Sequence, residues 1–331
     1  MPQNYGLKFI RVKMSNSNKP KVLFLDKAHP FLEAHLTDSG FDCHTDTTSP
    51  KVEVETFVGL FQGIVMRSRF AIDKGFLEKA TNLVFLAREG VGVEHIDVDF
   101  AESRGIKVLI SPEGSKDTVA EHALGLLLCL MNNLSRADRQ VRNGQWVREA
   151  NRAVELKGKT VGILGYGNMG SAFARRLTGF EVRVLAYDKF KTGYEDGFAE
   201  EVGLETMFQE ADVLSVHIPY SVDNHHFIND AFLKSFRKNI YLVNTARGLV
   251  LNTADVVASL KSGKVAGAAL DVLEYEETSF DKFRLEQLPP AFDFLCQADN
   301  VVLSPHIAGW SFESKEKHAR VLAEKIMKLG Y

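Results

Sequence analysis

The residues best suited to chemistry lie at the ends of three apolar runs in the second half of the chain. Val243-Asn244-Thr245-Ala246 leads into Arg247-Gly248. A guanidinium there can grip a carboxylate through two parallel hydrogen bonds. Ala269-Leu270 leads into Asp271, with Glu274, Glu276 and Glu277 just beyond it. Any one of these acids could be a solvated loop charge. Val301–Leu303 leads into Ser304-Pro305-His306-Ile307-Ala308-Gly309, where an imidazole follows a proline stop and precedes small residues that admit a ligand. Open α/β sheets bind ligands outside the carboxyl ends of their strands. An arginine, an acid and a histidine meeting there suit proton exchange on a carboxylate-bearing substrate.

The partner of that proton is indicated upstream. Residues 161–188 read VGILGYGNMGSAFARRLTGFEVRVLAYD. A short apolar strand enters the G-x-G-x-x-G turn Gly165-Tyr166-Gly167-Asn168-Met169-Gly170, a helix follows, and the next apolar strand ends on Asp188. Gly165 permits the tight turn, Gly167 lets a pyrophosphate approach the backbone, and Gly170 lets helix and strand pack closely. The helix N-terminus offers free N–H groups to phosphates. Asp188 can accept hydrogen bonds from the adenosine ribose, and its charge would repel the 2′-phosphate of NADP, which favours NAD. A dinucleotide beside an arginine, an acid and a histidine points to hydride transfer coupled to proton transfer.

The elements around these residues alternate. Strand candidates are Lys21–Leu25, Gly63–Met66, Leu83–Leu86 and Lys107–Leu109, then Val161–Leu164, Val182–Tyr187, Val213–His217, Tyr241–Asn244, Gly267–Asp271 and Val301–Leu303. Helices are expected at Phe31–Ser39, Val52–Leu60, Lys74–Ala80, Val98–Arg104, Thr118–Asn133, Arg136–Asn143 and Phe312–Leu329. This alternation specifies an α/β protein with two doubly wound parallel sheets. The expected division is a substrate domain from 20–116 plus 307–331, flavodoxin-like, with a Rossmann cofactor domain, 117–306, inserted in it. A break is expected near Pro112–Asp117, a return near Ser304–Gly309, and the last helix back on the first unit. Residues 1–19 read as a poorly ordered extension.

Bulk composition narrows the classes. The chain has 331 residues, 45% hydrophobic and 25% charged, with net charge −3, so no electrostatic footprint for nucleic acid or membrane is expected. Cys43, Cys129 and Cys296 are scattered and odd in number, which fits neither a metal site nor a disulfide framework. The longest apolar run, Leu124–Met131, is too short to span a bilayer. A cytoplasmic location is the expectation.

The motifs GYGNMG, VHIP at 216–219, NTARG at 244–248, the acid-rich segment at 270–276 and SPHIAG at 304–309 together resemble the D-isomer-specific 2-hydroxyacid dehydrogenase family, from about Lys21 onward. The nearest likeness is to short phosphoglycerate dehydrogenases without a regulatory domain. The resemblance implies an NAD-dependent enzyme in which Arg247 binds the substrate carboxylate and carbonyl oxygen, His306 is the acid/base and Glu276, five positions beyond Asp271, pairs with it. It assigns the backbone of Gly90, Val91 and Gly92 to the substrate carboxylate, and Thr118 to the border of the nicotinamide. His217, Ile218, Pro219, Thr245, Ala246, Asp271 and Gly309 are implied to line the cofactor with the turn residues, Arg247 and His306. Two positions depart from the pattern: Glu277 replaces a common proline, and Trp310 replaces a small or hydroxylic residue.

Met66-Arg67-Ser68-Arg69 ends a strand of the first unit and suits a second substrate anion. It resembles the segment that approaches phosphate in phosphoglycerate dehydrogenases, so 3-phosphoglycerate is the expected substrate. Glyoxylate or hydroxypyruvate reduction is the rival. A non-enzymatic NAD-sensing corepressor and a formate-type dehydrogenase are remoter alternatives. The resemblance also implies a homodimer built through the Thr118–Asn133 helix and its neighbour.

Overall fold

The computed structural model describes residues 19–194, 196–276 and 288–330. The segment 1–18 and Glu277 therefore lie outside the described residues.

Five parallel strands form the first sheet: β1 (Lys21–Phe24), β2 (Asp42–Thr45), β3 (Gly63–Met66), β4 (Phe85–Arg88) and β5 (Lys107–Ile110), in the order β2-β1-β3-β4-β5. This is the flavodoxin-like order. Seven strands form the second: β6 (Thr160–Leu164), β7 (Arg183–Tyr187), β8 (Glu200–Glu201), β9 (Val213–Val216), β10 (Ile240–Asn244), β11 (Val265–Leu270) and β12 (Val301–Leu303). Their order, β12-β11-β10-β9-β6-β7-β8, is all parallel and turns back between β6 and β9, as in a dinucleotide-binding sheet.

Strands buried on both faces read as continuous apolar runs, and β3 (GIVM) and β9 (VLSV) are buried throughout. The edge strand β2 (DCHT) is only half-buried and polar, so the apolar pattern does not announce it. Strand β4 begins two residues later than expected: Leu83 closes the preceding turn by donating its N–H to Ala80 O. That shift brings Arg88 into the last strand position.

Pro112 opens a continuous helix, Pro112–Met131, where a break is expected. Proline fits the first turn of a helix because no intrahelical partner awaits its missing N–H. This linker helix buries Ala120, Ala123, Leu127 and Leu130 with Phe173 of the helix after β6. The apolar run is thus largely core of the second unit. The terminal helix, Phe312–Met327, starts with a Ser311–Ser314 capping box and buries Ala319, Leu322, Ala323 and Ile326 against Val22, Phe24 and Phe85 of the first sheet. Two crossings, at Ser111–Pro112 and after His306, therefore connect the sheets. Among the described residues, no helix is long and apolar enough to cross a membrane.

Candidate active site

The glycine turn is built as a cradle. Gly165 follows β6 with φ +94, and a Cβ there would stand 2.8 Å from the His217 carbonyl across the reversal point of the sheet. A Cβ on Gly170 would overlap the Gly165 carbonyl, whereas one on Gly167 would meet no atom within 4 Å. The exposed backbone of Gly167 and Asn168 starts the helix Asn168–Arg176, with Met169 half-buried behind it. Asp188, at the end of β7, accepts from Tyr166 N (2.8 Å) through one oxygen and from Phe190 N and Lys191 N (2.9 and 3.0 Å) through the other. The carboxylate is thereby fixed beside the turn. Tyr166 is fully buried and donates its hydroxyl to Asp196 at 2.9 Å, so only its backbone faces the cradle.

The far end of the same crevice holds buried polar atoms without a partner in the protein: Thr245 Oγ1 and His217 Nδ1. His217 Nε2 meets Ser215 Oγ at 2.8 Å, and burial holds this imidazole down at about 4, so it is neutral. Ile218 packs against Gly165, and Pro219 follows it at the exposed rim. The cradle, the fixed carboxylate and the orphaned Thr245 hydroxyl all fit a dinucleotide.

Arg247 leaves β10 through a turn that buried Asn244 shapes: its side chain accepts from Ala246 N (3.0 Å) and donates to Arg247 O (3.1 Å). The Arg247 guanidinium then crosses to the first unit, where Nε donates to Glu94 Oε1 at 2.5 Å. A Cβ on Gly92 would overlap both Arg247 Nη2 and Glu94 Oε2. Glycine at 92 is what lets the guanidinium reach the Val91–Gly92 backbone. Gly90 differs from its expected role. Its N–H donates to Ser111 Oγ at 3.0 Å inside the protein, so Gly90 shapes the loop.

His306 lies at φ +53, a left-handed conformation that favours glycine. Asp271 holds it there. The Asp271 carbonyl accepts His306 N at 2.7 Å, and its buried carboxylate accepts from Ile307 N (3.0 Å), Ala308 N (2.8 Å) and Ser304 Oγ (2.6 Å). His122, from the linker helix, meets Ser304 Oγ at 3.0 Å. Glu276 Oε2 pairs with His306 Nδ1 at 2.6 Å, and Glu276 Oε1 accepts Leu273 N. A Cβ on Gly248 would overlap the Leu273 backbone, so the Arg247 and Glu276 segments pack directly on each other. Of the acids at 271–277 among the described residues, Glu276 is the one whose carboxylate pairs with the histidine ring. Glu274 instead pairs with His226 at 3.0 Å.

On the first unit, Arg67 follows β3, its N–H donating to Asp26 Oδ2 at 2.7 Å and its guanidinium lying 4.9 Å from the Trp310 ring centroid. Ser68 is half-buried beside it. Arg69 departs from the expectation. Its guanidinium donates to the carbonyls of Leu25 (2.8 Å), Asp46 (2.6 Å) and Ser49, bracing its own loops rather than offering an anion its edge. Arg88, at the end of β4, donates through Nη1 to Glu89 O at 3.1 Å. Burial, then the charges of Arg247 and Arg67, push it down to about 10 against the pull of Glu94, and its Nε is buried without a partner. Thr118 and Gly309 sit at the second crossing, where Thr118 Oγ1 meets Ser311 Oγ at 2.9 Å and Gly309 O accepts Ser314 Oγ at 2.8 Å.

A family model described as D-isomer specific 2-hydroxyacid dehydrogenase, NAD binding domain, matches residues 124–308. The D-3-phosphoglycerate dehydrogenase of Archaeoglobus fulgidus is 34% identical over 94% of this chain and 57% of its own length. A glyoxylate reductase of Thermofilum pendens is 38% identical over 77% of this chain and 74% of its own. This chain belongs to the D-isomer-specific 2-hydroxyacid dehydrogenase family. In structure, the D-lactate dehydrogenase of Aquifex aeolicus complexed with NAD and lactic acid covers 93% of the chain at TM-score 0.78 and 27% identity, over 95% of its own length. The chain spans little more than half of the phosphoglycerate dehydrogenase relative. The second unit of this chain is its NAD-binding domain.

Arg88, Glu94, Ser111, His122 and Ser304 carry geometry that the sequence reading does not assign. Arg88 and Glu94 flank Gly90-Val91-Gly92, and charged residues around strand-end glycines are the signal that points to them.

Burial raises the Asp271 carboxyl, but hydrogen bonds from His122, Ser304, Ala308 and Ile307 outweigh it and hold the group below the usual carboxylate range. A depressed pKa contributes stability above the unfolded value, about 3.9, and that contribution is lost as pH falls through the folded value. Asp271→Asn should therefore destabilise the protein at pH 7 by about 1–3 kcal/mol. Urea unfolding should show this gap narrowing below about pH 4. A gap that stays constant with pH contradicts the assignment.

Proposed function

We propose that the chain interconverts a 2-oxo acid and its D-2-hydroxy acid with NAD, and that its substrate carries a second anion on C3, with 3-phosphoglycerate the best fit. The observation that carries the reaction is the convergence of Arg247, at Gly92, with the 2.6 Å Glu276–His306 pair, both presented by the carboxyl ends of one sheet. Arg247 and the Val91 and Gly92 amides hold the carboxylate and orient the carbonyl. Glu276 engages Nδ1 of His306, so Nε2 carries the proton that passes to the carbonyl oxygen on reduction. In oxidation the same nitrogen removes the hydroxyl proton. Bound NADH supplies the hydride that the carbonyl carbon receives. Asp188, with two oxygens tied to three amides, faces the ribose and disfavours a 2′-phosphate.

Arg67 and Arg88 near Arg247 support a doubly anionic substrate, since three guanidiniums around one cleft exceed what a single carboxylate needs. Relatives named both as phosphoglycerate dehydrogenase and as glyoxylate reductase support the D-2-hydroxy acid class alone, since glyoxylate carries a single carboxylate. The arm after the linker helix, Leu134–Arg142 and onward, buries none of its side chains and exposes Leu134, Val141 and Trp146. Those exposed apolar side chains on an otherwise charged arm support a homodimer, whose mass light scattering at micromolar concentration should read as two chains; a single-chain mass contradicts it.

His306→Ala should lower kcat about 10²–10⁴-fold while NADH still binds by fluorescence titration. Near-normal turnover removes His306 from the mechanism. A panel of 2-oxo acids with NADH tests the substrate. The highest kcat/KM should fall on the 3-phosphorylated hydroxypyruvate. A higher value for glyoxylate or hydroxypyruvate moves the reading to a reductase, and silence across the panel to a sensor.

A further inference from the structure

The loop beyond His306 exposes apolar side chains. Trp310 is 65% exposed, and Ile307 and Phe312 are also open. An indole that exposed contributes little to the core. Its placement is nevertheless specific, because Trp310 N donates to Ile307 O at 2.9 Å, closing a turn directly after the catalytic histidine. One face of the ring covers Arg67, whose guanidinium carbon lies 4.9 Å from the centroid.

The two residues come from different chain segments. Arg67 follows β3 at the reversal point of the first sheet, and its backbone is held by Asp26 at 2.7 Å. Its charge is felt by Arg88 and by buried Glu89, so the guanidinium lies near both. An arginine side chain samples many rotamers in water. Stacking its face on an indole selects among them and leaves the N–H edge for an anion. Such preorganisation strengthens anion binding without a contact between Trp310 and the anion.

We propose that Trp310 is a specificity-determining residue that positions Arg67 for an anionic group on C3 of the substrate. The inference rests on the reading that Arg67 meets such a group. It adds that the selecting element is carried on the His306 loop, so the anion contact and the acid/base share one turn.

The test uses Trp310→Ala, Trp310→Phe, Arg67→Gln and the Trp310→Ala/Arg67→Gln double variant of the full chain. Each is assayed with hydroxypyruvate and with its 3-phosphate. Trp310→Ala should raise KM for the phosphorylated acid about threefold to tenfold, while kcat and KM for hydroxypyruvate stay within about twofold. Trp310→Phe should keep most of the selectivity. In the Arg67→Gln background the tryptophan substitution should add nothing, because the two side chains act as one unit. Equal KM changes for both acids, or additive effects in the double variant, overturn the proposal. If the parent enzyme does not use the phosphorylated acid, the substrate reading has failed. The inference is then decided by competitive inhibition of hydroxypyruvate reduction by inorganic phosphate. Trp310→Ala should weaken that inhibition about threefold to tenfold, and unchanged inhibition overturns it.

Discussion

A guanidinium crossing from one sheet to the backbone of the other sets the terms for the whole cleft. Arg247 belongs to the second unit, yet its Nε bonds Glu94 and its fork lies over Gly92, both of the first. An arginine at a strand end is long and mobile. Here Asn244 shapes its turn, Gly248 packs against the Leu273 backbone, and Glu94 fixes its far end. Arg247, Glu94 and Gly92 therefore come together only where the two units meet. The glycine serves close approach, since a side chain at 92 would displace the guanidinium.

The acid/base side of the site depends on strain held in place. His306 adopts a conformation that suits glycine, and the strand-end carboxylate of Asp271 gathers the Ile307 and Ala308 amides, together with Ser304, to keep it. Left-handed backbone at a non-glycine residue has a cost that surrounding hydrogen bonds must offset. The result is an imidazole whose Nδ1 is directed at Glu276. Trp310 sits in the same turn and reaches back to Arg67. His306 and Trp310 are thus linked through a few residues of loop.

Much of this was legible because it depends on local rules. The glycines of the turn, the acid ending β7 and the stop before His306 each follow from what a backbone needs near phosphate or at a sheet edge. The two parallel sheets follow from apolar runs alternating with helical stretches. What escaped depends on tertiary partners. Arg69 and Arg67 are chemically alike and two positions apart, and only the carbonyls of Leu25, Asp46 and Ser49 show that Arg69 is a brace. Gly90 and Gly92 look interchangeable in a glycine pair until Ser111 takes the Gly90 amide. Arg88 was hidden by a strand boundary drawn two residues early, and edge strand β2 by its polar composition.

The most direct measurement is a crystal structure of the protein with NADH and oxamate, an unreactive 2-oxo acid mimic. The oxamate carboxylate should lie on the Arg247 guanidinium and the Val91 and Gly92 amides, with its carbonyl oxygen within hydrogen-bond reach of His306 Nε2. Oxamate bound away from Arg247, or a His306 ring turned from Glu276 and from the ligand carbonyl, would contradict the convergence on which the catalytic reading stands.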